Sequence, residues 1–208
     1  MADPHEVVAA IEGIDLEAPW SEVAPDLRIA LPRRRPLPPG TSGLPTREFT
    51  PGIRVGLGLD IGPAMLFVSD EQLAGWGVTS HQAFDQALAN ASARVRHRRQ
   101  FALLHQAIGD VPTKAFQSRE GWAATLLLLP DELTRVFDEH DGLLLAPMRD
   151  LVLLMPIDAK HAFARFVLEE FAAADMNALD LPLFALVDGR VTVAVDADTS
   201  AVGGSAMH

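Results

Sequence analysis

The second half of the chain alternates short apolar runs with turn-forming residues, a pattern that predicts strands. Two pairs of runs show it: 143–146 with 151–155, and 183–187 with 191–195. Asp188-Gly189 separates the second pair, and an Asp-Gly turn has the twist that antiparallel strands require. Tight turns connect antiparallel neighbours, so both pairs are expected to form β-hairpins.

The first half of the body predicts another hairpin and then two helices. Runs 54–59 and 65–68 indicate the strands. Capping-box sequences at 69–72 and 79–82 place a hydroxyl residue three positions before a glutamine, which satisfies main-chain groups at the start of a helix. Apolar residues at helical spacing extend the second helix to about Arg96.

Two more helices and one ambiguous segment complete the body. Residues 131–137 favour a short helix with acidic residues in its first turn. Asp158 is expected to cap an amphipathic helix that ends near Ala174. The predicted buried residues of that helix are Ala162, Phe163, Phe166, Val167 and Phe171. Residues 101–108 are interpreted as a helical turn, followed by a loop through Pro112.

The N-terminal quarter of the chain differs from the body because it is rich in proline. Asp3 is placed to open a short helix that Gly13 would end. Eight prolines then occur from Pro19 to Pro51. Each proline fixes φ and removes a hydrogen-bond donor, so we expect an extended arm there, with neither helix nor central strand.

The order of these elements indicates an α+β fold. Antiparallel sheets are built from β-hairpins, and the helices are expected to pack on one face. The predicted organisation is a proline-rich arm over residues 1–51, an α+β domain over 52–197 and a flexible tail over 198–208.

Composition narrows the possible functions. The 208 residues carry a formal net charge of −11 and include no cysteine. Disulfides and thiolate-ligated metal sites are thereby excluded, and nucleic acid is an unfavoured partner because the negative net charge opposes binding to its phosphates. The acidic start of the chain does not resemble a secretion signal, and no apolar run approaches the roughly 20 residues of a membrane span. We therefore expect a cytoplasmic protein.

From residue 53 onward, three segments resemble the bacterial YtpQ-like family, a domain of unknown function. Residues 67–77 and 83–90 are similar to the family's passage from a strand through a helix to Trp-Gly. Residues 124–130 and 146–153 are similar to an apolar run ended by proline and to a turn of the form P-x-R-D. The resemblance implies an intracellular α+β domain over about 53–195, and it supplies no catalytic residue.

Six residues are candidates for binding a partner or an anion. Four of them form the densest cationic cluster of the chain: Arg94, Arg96, Arg98 and Arg99. They lie at a predicted helix end, where cations also complement the helix dipole. Arg149 and Asp150 occupy a turn between apolar strands. Either the two residues form an ion pair that fixes the turn, or Arg149 binds an anion and Asp150 holds Arg149 in position.

No catalytic or metal-binding motif accompanies these candidates. The glycines of Gly56-x-Gly58-x-x-x-Gly62 are followed by a proline and a strand, whereas a dinucleotide site needs a helix there. Residues 138–141 cluster carboxylates with an imidazole, but they lack the spacing of a calcium loop and are interpreted as a solvated acidic loop. We infer no cofactor and no metal.

The sequence therefore favours a non-enzymatic, cytoplasmic protein-interaction module that binds a protein partner or forms a homo-oligomer. The proline-rich arm and the arginine cluster at 94–99 are its contact candidates. The alternative is a small-ligand-binding protein or a hydrolase-type enzyme whose polar groups meet only in the folded chain. A deep pocket with convergent Arg, Asp or His side chains would favour the alternative, whereas an exposed apolar surface would favour the module.

Overall fold

The computed structural model describes residues 18–34, 43–61, 65–97, 101–118, 121–175 and 178–195. The helix predicted between Asp3 and Gly13 and the tail predicted at 198–208 lie outside this part of the chain.

The first part of the described chain forms a four-stranded antiparallel sheet. Its strands are β1 (Leu27–Ala30), β2 (Thr46–Thr50), β3 (Ile53–Asp60) and β4 (Met65–Phe67). The long β3 pairs with all three others, with β1 along one side and β2 and β4 along the other. A Cβ at Gly58 would lie 2.5 Å from Met65 Cγ, so this glycine permits the close approach of β4. The predicted β3–β4 pairing is confirmed.

The prediction that no helix persists between Pro19 and Pro51 is wrong, whereas the two strands of this segment, β1 and β2, are edge strands that pair only with β3, and the prediction excluded only a central strand. A one-turn helix, α1 (Trp20–Val23), begins directly after Pro19, and β1 and β2 follow it. The prolines do not interrupt these strands because they lie outside them; Pro45, for example, immediately precedes β2. The boundary expected after residue 51 falls between β2 and β3, which are paired strands of one sheet.

Two helices follow this sheet, and both begin with the predicted capping boxes. In α2 (Asp70–Gly75), Ser69 Oγ accepts a hydrogen bond from Gln72 N–H at 3.2 Å, and Ser69 N–H donates to Gln72 Oε1 at 2.7 Å. The longer α3 (Ser80–Arg96) has the same arrangement. Asn90 of α3 donates its side-chain amide to the Ala24 and Leu27 carbonyls, at 2.7 and 3.0 Å, which ties α3 to the start of β1.

The rest of the described chain builds a six-stranded antiparallel sheet. Its strands are β5 (Phe101–Ile108), β6 (Val111–Ser118), β7 (Gly142–Met148), β8 (Leu151–Met155), β9 (Phe184–Val187) and β10 (Arg190–Val193). The strand order is β10-β9-β7-β8-β6-β5, so β10 and β5 are the edges. Asp188 and Gly189, both at positive φ, form the predicted β9–β10 turn.

Successive residues of the central strands face two different hydrophobic cores. Leu144 and Val152 face a core that includes a 3₁₀ segment (Ala123–Leu128) and α4 (Pro130–Phe137). Leu143 and Leu153 face a second core covered by α5 (His161–Ala173). The predicted α+β class is confirmed, and the six-stranded sheet carries packed elements on both faces.

The interpretation of residues 101–108 as a helical turn is wrong, because they form β5. This strand pairs with β6 over eight consecutive residue pairs. Gly109, at φ +57°, and Asp110 form the two-residue turn between them. A Gly-Asp pair between two apolar segments is a hairpin signal. The alternation that marks a strand is weak in β5 because residues on both of its faces are exposed.

Helix α5 begins later than predicted and turns a different set of residues inward. Lys160, and not Asp158, occupies the N-cap position. The buried residues of α5 are Ala164, Val167, Leu168 and Ala172. Of the predicted set, Val167 is buried and Phe163 and Phe171 are half-buried, whereas Ala162 is exposed and Phe166 is 59% exposed.

Part of the proline-rich segment is attached to the second half of the chain. Arg33 pairs with Leu179 in an isolated bridge, and Asp180 N–H donates to the Pro32 carbonyl at 2.9 Å. Arg34 makes two hydrogen bonds to Glu169 of α5, at 2.7 and 2.6 Å. Residues 32–34 therefore connect the two sheets. No helix in the described part of the chain is both long and apolar enough to cross a membrane.

We predict that Gly142→Ala destabilises the protein by about 1–3 kcal/mol, because the strand core has no room for another methyl group. The added Cβ would lie 2.5 Å from Leu154 Cδ1 and 2.8 Å from the Met155 carbonyl oxygen. Urea unfolding measures the effect. Gly75→Ala is the matched control, since nothing lies within 4 Å of its Cβ position. An equal loss of stability in both variants would contradict the packing argument.

Candidate functional site

Two of the four arginines in the predicted cationic cluster, Arg94 and Arg96, lie in the described part of the chain, and both make contacts within the protein. Arg96 Nε lies 2.6 Å from Glu132 Oε1, and the Arg94 guanidinium lies 5.9 Å from the ring centroid of Trp122. Both contacts connect the end of α3 to the region of α4. Arg98 and Arg99 lie outside the described residues, so their contact with a partner stays a prediction.

Glu132 is the buried acid that holds Arg96. Its carboxylate also accepts hydrogen bonds from Ser92 Oγ at 2.9 Å and Arg135 Nε at 2.8 Å, and 7% of its side chain is exposed. Burial by itself would raise the pKa of Glu132. Hydrogen bonds from Arg135, Arg96 and Ser92 outweigh burial, so the pKa is lowered. Arg96 therefore has a structural role in joining α3 to α4.

The turn at Arg149 and Asp150 is anchored through its main chain. Ala124 N–H donates to the Arg149 carbonyl at 3.0 Å, and Ser118 N–H donates to the Asp150 carbonyl at 2.9 Å. The β7–β8 turn is thus tied to both β6 and the 3₁₀ segment. Burial raises the pKa of Asp150, and a main-chain hydrogen bond and the charge of Arg149 offset this only in part. Trp122, which contacts the Arg94 guanidinium, also lines a cavity together with Arg149.

The acidic residues of segment 138–141 make separate contacts with different parts of the protein. Glu139 Oε1 accepts a hydrogen bond from Lys114 Nζ at 2.8 Å, and Asp141 Oδ1 accepts one from Asp188 N–H at 3.0 Å. Across the described ranges, no group of three or more His, Asp or Glu side chains is arranged to hold a metal ion.

Strand β5 is a sheet edge that is exposed on both faces. Residues 102–107 are all exposed, whereas β6 beside it is largely buried. Neighbouring side chains of a strand point to opposite faces, and Leu103 and Leu104 are 37% and 46% exposed. The apolar side chains of both faces and the outer main-chain groups of β5 are therefore accessible together.

Strand β5 lacks the features that usually prevent a sheet edge from pairing with another chain. Its sequence contains no Lys, Arg, Asp, Glu or Pro, and its register with β6 has no bulge. Charges, prolines and bulges are the common protections of an edge. The opposite edge, β10, is only four residues long and begins with Arg190. Of the two edges, β5 is the one suited to adding a strand.

A cavity of about 300 Å³ adjoins this hairpin. His105 of β5, Lys114 of β6, and Glu139 and Asp141 beyond α4 contribute polar groups to its wall. Lys114 Nζ donates to the Phe137 carbonyl at 2.7 Å as well as to Glu139, so the ammonium group is fixed. A chain that pairs with β5 would lie beside this cavity.

We predict that Glu132→Gln lowers the free energy of unfolding by about 1–3 kcal/mol at pH 7, because buried donors lose a charged acceptor. The folded-state pKa of Glu132 is lowered. The stabilisation is therefore complete above the unfolded value, about 4.3, and is lost as pH falls through the folded value. Urea unfolding across pH should show wild type and variant converging below about pH 4.

Glu139→Gln is the control for this prediction, since it removes a half-exposed acid whose ion pair with Lys114 is worth about 1 kcal/mol or less. A stability difference for Glu132→Gln that persists unchanged at low pH would contradict the role of its charge.

Searches of protein-family models, curated proteins and solved structures find no match to this chain. The resemblance to the YtpQ-like family therefore stays a prediction.

Proposed function

We propose that the chain is a non-enzymatic protein-interaction module, and that it self-associates by antiparallel pairing of β5 with β5 of a second copy. The observation that supports this is the exposure of β5 on both faces together with an unprotected edge. A cytoplasmic location is part of the proposal, supported by the cysteine-free, acidic sequence.

Pairing with another strand would provide β5 with main-chain hydrogen-bond partners and would also bury its exposed apolar side chains. A partner strand would provide main-chain hydrogen bonds along about 27 Å, the length of eight extended residues. It would also cover Leu103 on one face and Leu104 on the other, which are exposed in the single chain. Identical strands pair most simply about a two-fold axis, because the same surface then serves both copies.

Charge favours a second copy at this edge. Two chains of net charge −11 repel each other in general, but β5 contains no Asp, Glu, Lys or Arg, and His105 is its one ionisable side chain, so the strand adds little repulsion at the contact. In an antiparallel pair the start of one strand lies beside the end of the other. In the sequence, Arg98 and Arg99 come shortly before β5 and Asp110 follows it, a charge distribution that favours attraction between the ends of two antiparallel strands.

We predict that Leu104→Lys weakens self-association of the full chain by at least about tenfold, because like charges would face each other across the two-fold axis. Sedimentation velocity over a concentration series measures the dissociation constant. The exposed position of Leu104 means that the variant should remain folded.

Thr192→Lys is the matched control, because it places the same charge on an exposed position of β10, the opposite edge of the same sheet. It should associate like the wild type. A wild-type protein that stays monomeric across the series, or equal weakening by both lysines, would overturn the β5 proposal.

A further inference from the structure

Three arginines that are distant in sequence line one cleft between the two sheets. Arg28 comes from β1, Arg33 from the segment after β1, and Arg149 from the β7–β8 turn. Trp122 and Thr125, both buried, contribute to the same cleft. The cleft is therefore formed only when the four-stranded sheet meets the six-stranded sheet.

Arg28 is a fixed part of this cleft. Its side chain is 7% exposed, and its Nη1 donates to the Pro25 and Leu27 carbonyls at 2.9 and 3.0 Å. Its Nε is buried without a hydrogen bond, and the closest carboxylate oxygen to it, on Asp60, is 3.5 Å away. Arg28 thus forms ion pairs with Asp60 and, at 3.9 Å, with Asp26, and its buried side chain is a fixed wall of the cleft.

Arg33 and Arg149 bring like charges together in a half-buried place. The pKa of Arg33 is lowered, first by burial and then by the positive charge of Arg149. Its main chain is bridged to Leu179, so Arg33 is kept beside Arg149 by the fold. An anion between the two guanidinium groups would turn this repulsion into attraction.

Gly121 leaves room beside the Arg149 guanidinium. It has φ +72°, and a Cβ at this position would lie 3.6 Å from Arg149 Nη2 and 3.7 Å from Cζ. A larger side chain would cover this side of the guanidinium. Glycine adopts this positive φ without strain and adds no side chain that would cover the guanidinium.

From this geometry we propose that the cleft binds a phosphate group between Arg33 and Arg149, either as the free ion or as the terminal group of a small metabolite. Guanidinium groups from separate segments suit a tetrahedral, doubly charged oxyanion, since each can donate to different oxygens. The cavity volume is about 20 Å³, close to that of one water molecule, so the proposal requires the half-buried side chains of Arg33 and Arg149 to move outward when phosphate binds.

Calorimetric titration of the full chain with inorganic phosphate at constant ionic strength tests this proposal. The wild type should bind one phosphate per chain, and Arg33→Gln and Arg149→Gln should each bind it at least about tenfold more weakly, because each loses charge-assisted hydrogen bonds. Arg47→Gln is the control: Arg47 is exposed and paired with Asp85 outside the cleft, so its loss should leave binding unchanged.

Glycerol phosphate separates the two sources of the phosphate group. Tighter binding than inorganic phosphate indicates a metabolite, and equal or weaker binding indicates the free ion. If Arg149→Gln fails to fold, as judged by circular dichroism, Arg33→Gln decides the result. No saturable phosphate binding by the wild type, or equal binding by the wild type and the cleft variants, would overturn the proposal. Leu104→Lys should retain phosphate binding, so this test is independent of self-association through β5.

Discussion

Strands β7 and β8 are buried on both faces, and this double burial determines how the rest of the molecule is arranged. Every residue of β8 is buried, as are the residues of β7 up to Pro147. A strand of this kind needs apolar cover on each side, because neither face can remain in water. Helix α5 covers one face, and the 3₁₀ segment with α4 covers the other.

The side of the six-stranded sheet that packs against the 3₁₀ segment and α4 also makes contacts with the four-stranded sheet and its helices. Phe49 of β2 packs against Phe184 of β9 with ring centroids 5.7 Å apart, and the Arg96–Glu132 pair joins α3 to α4. Arg34 and Glu169 make a third link between the segment after β1 and α5. The charged groups of these two ion pairs therefore have partners within the chain. The predicted cationic cluster illustrates the consequence, since its described members stabilise the fold.

Both proposed binding sites lie at the limits of the region in which helices and the 3₁₀ segment pack on the six-stranded sheet. The six-stranded sheet extends to β5, one strand beyond the elements that cover its faces, and this leaves Leu103 and Leu104 exposed. At the other boundary, where the two sheets meet, the cleft gathers Arg28, Arg33 and Arg149. A neutral exposed edge and a cationic cleft are different chemistries, so the two sites are suited to different ligands, a protein strand and a phosphate group.

Local sequence determined the elements whose signals are local: the capping boxes at Ser69 and Thr79, the Asp188-Gly189 turn and the strands flanking it. Each of these depends on groups within a few residues of one another. Tertiary structure decided the rest. β1 is a strand only because β3, which follows it by many residues, supplies its hydrogen bonds. Because both faces of β5 are exposed, its sequence lacks the clear alternation of apolar and polar residues that predicts a strand. Arg33 and Arg149 lie close together only because of the way the two sheets pack, and their spacing along the chain does not predict this contact.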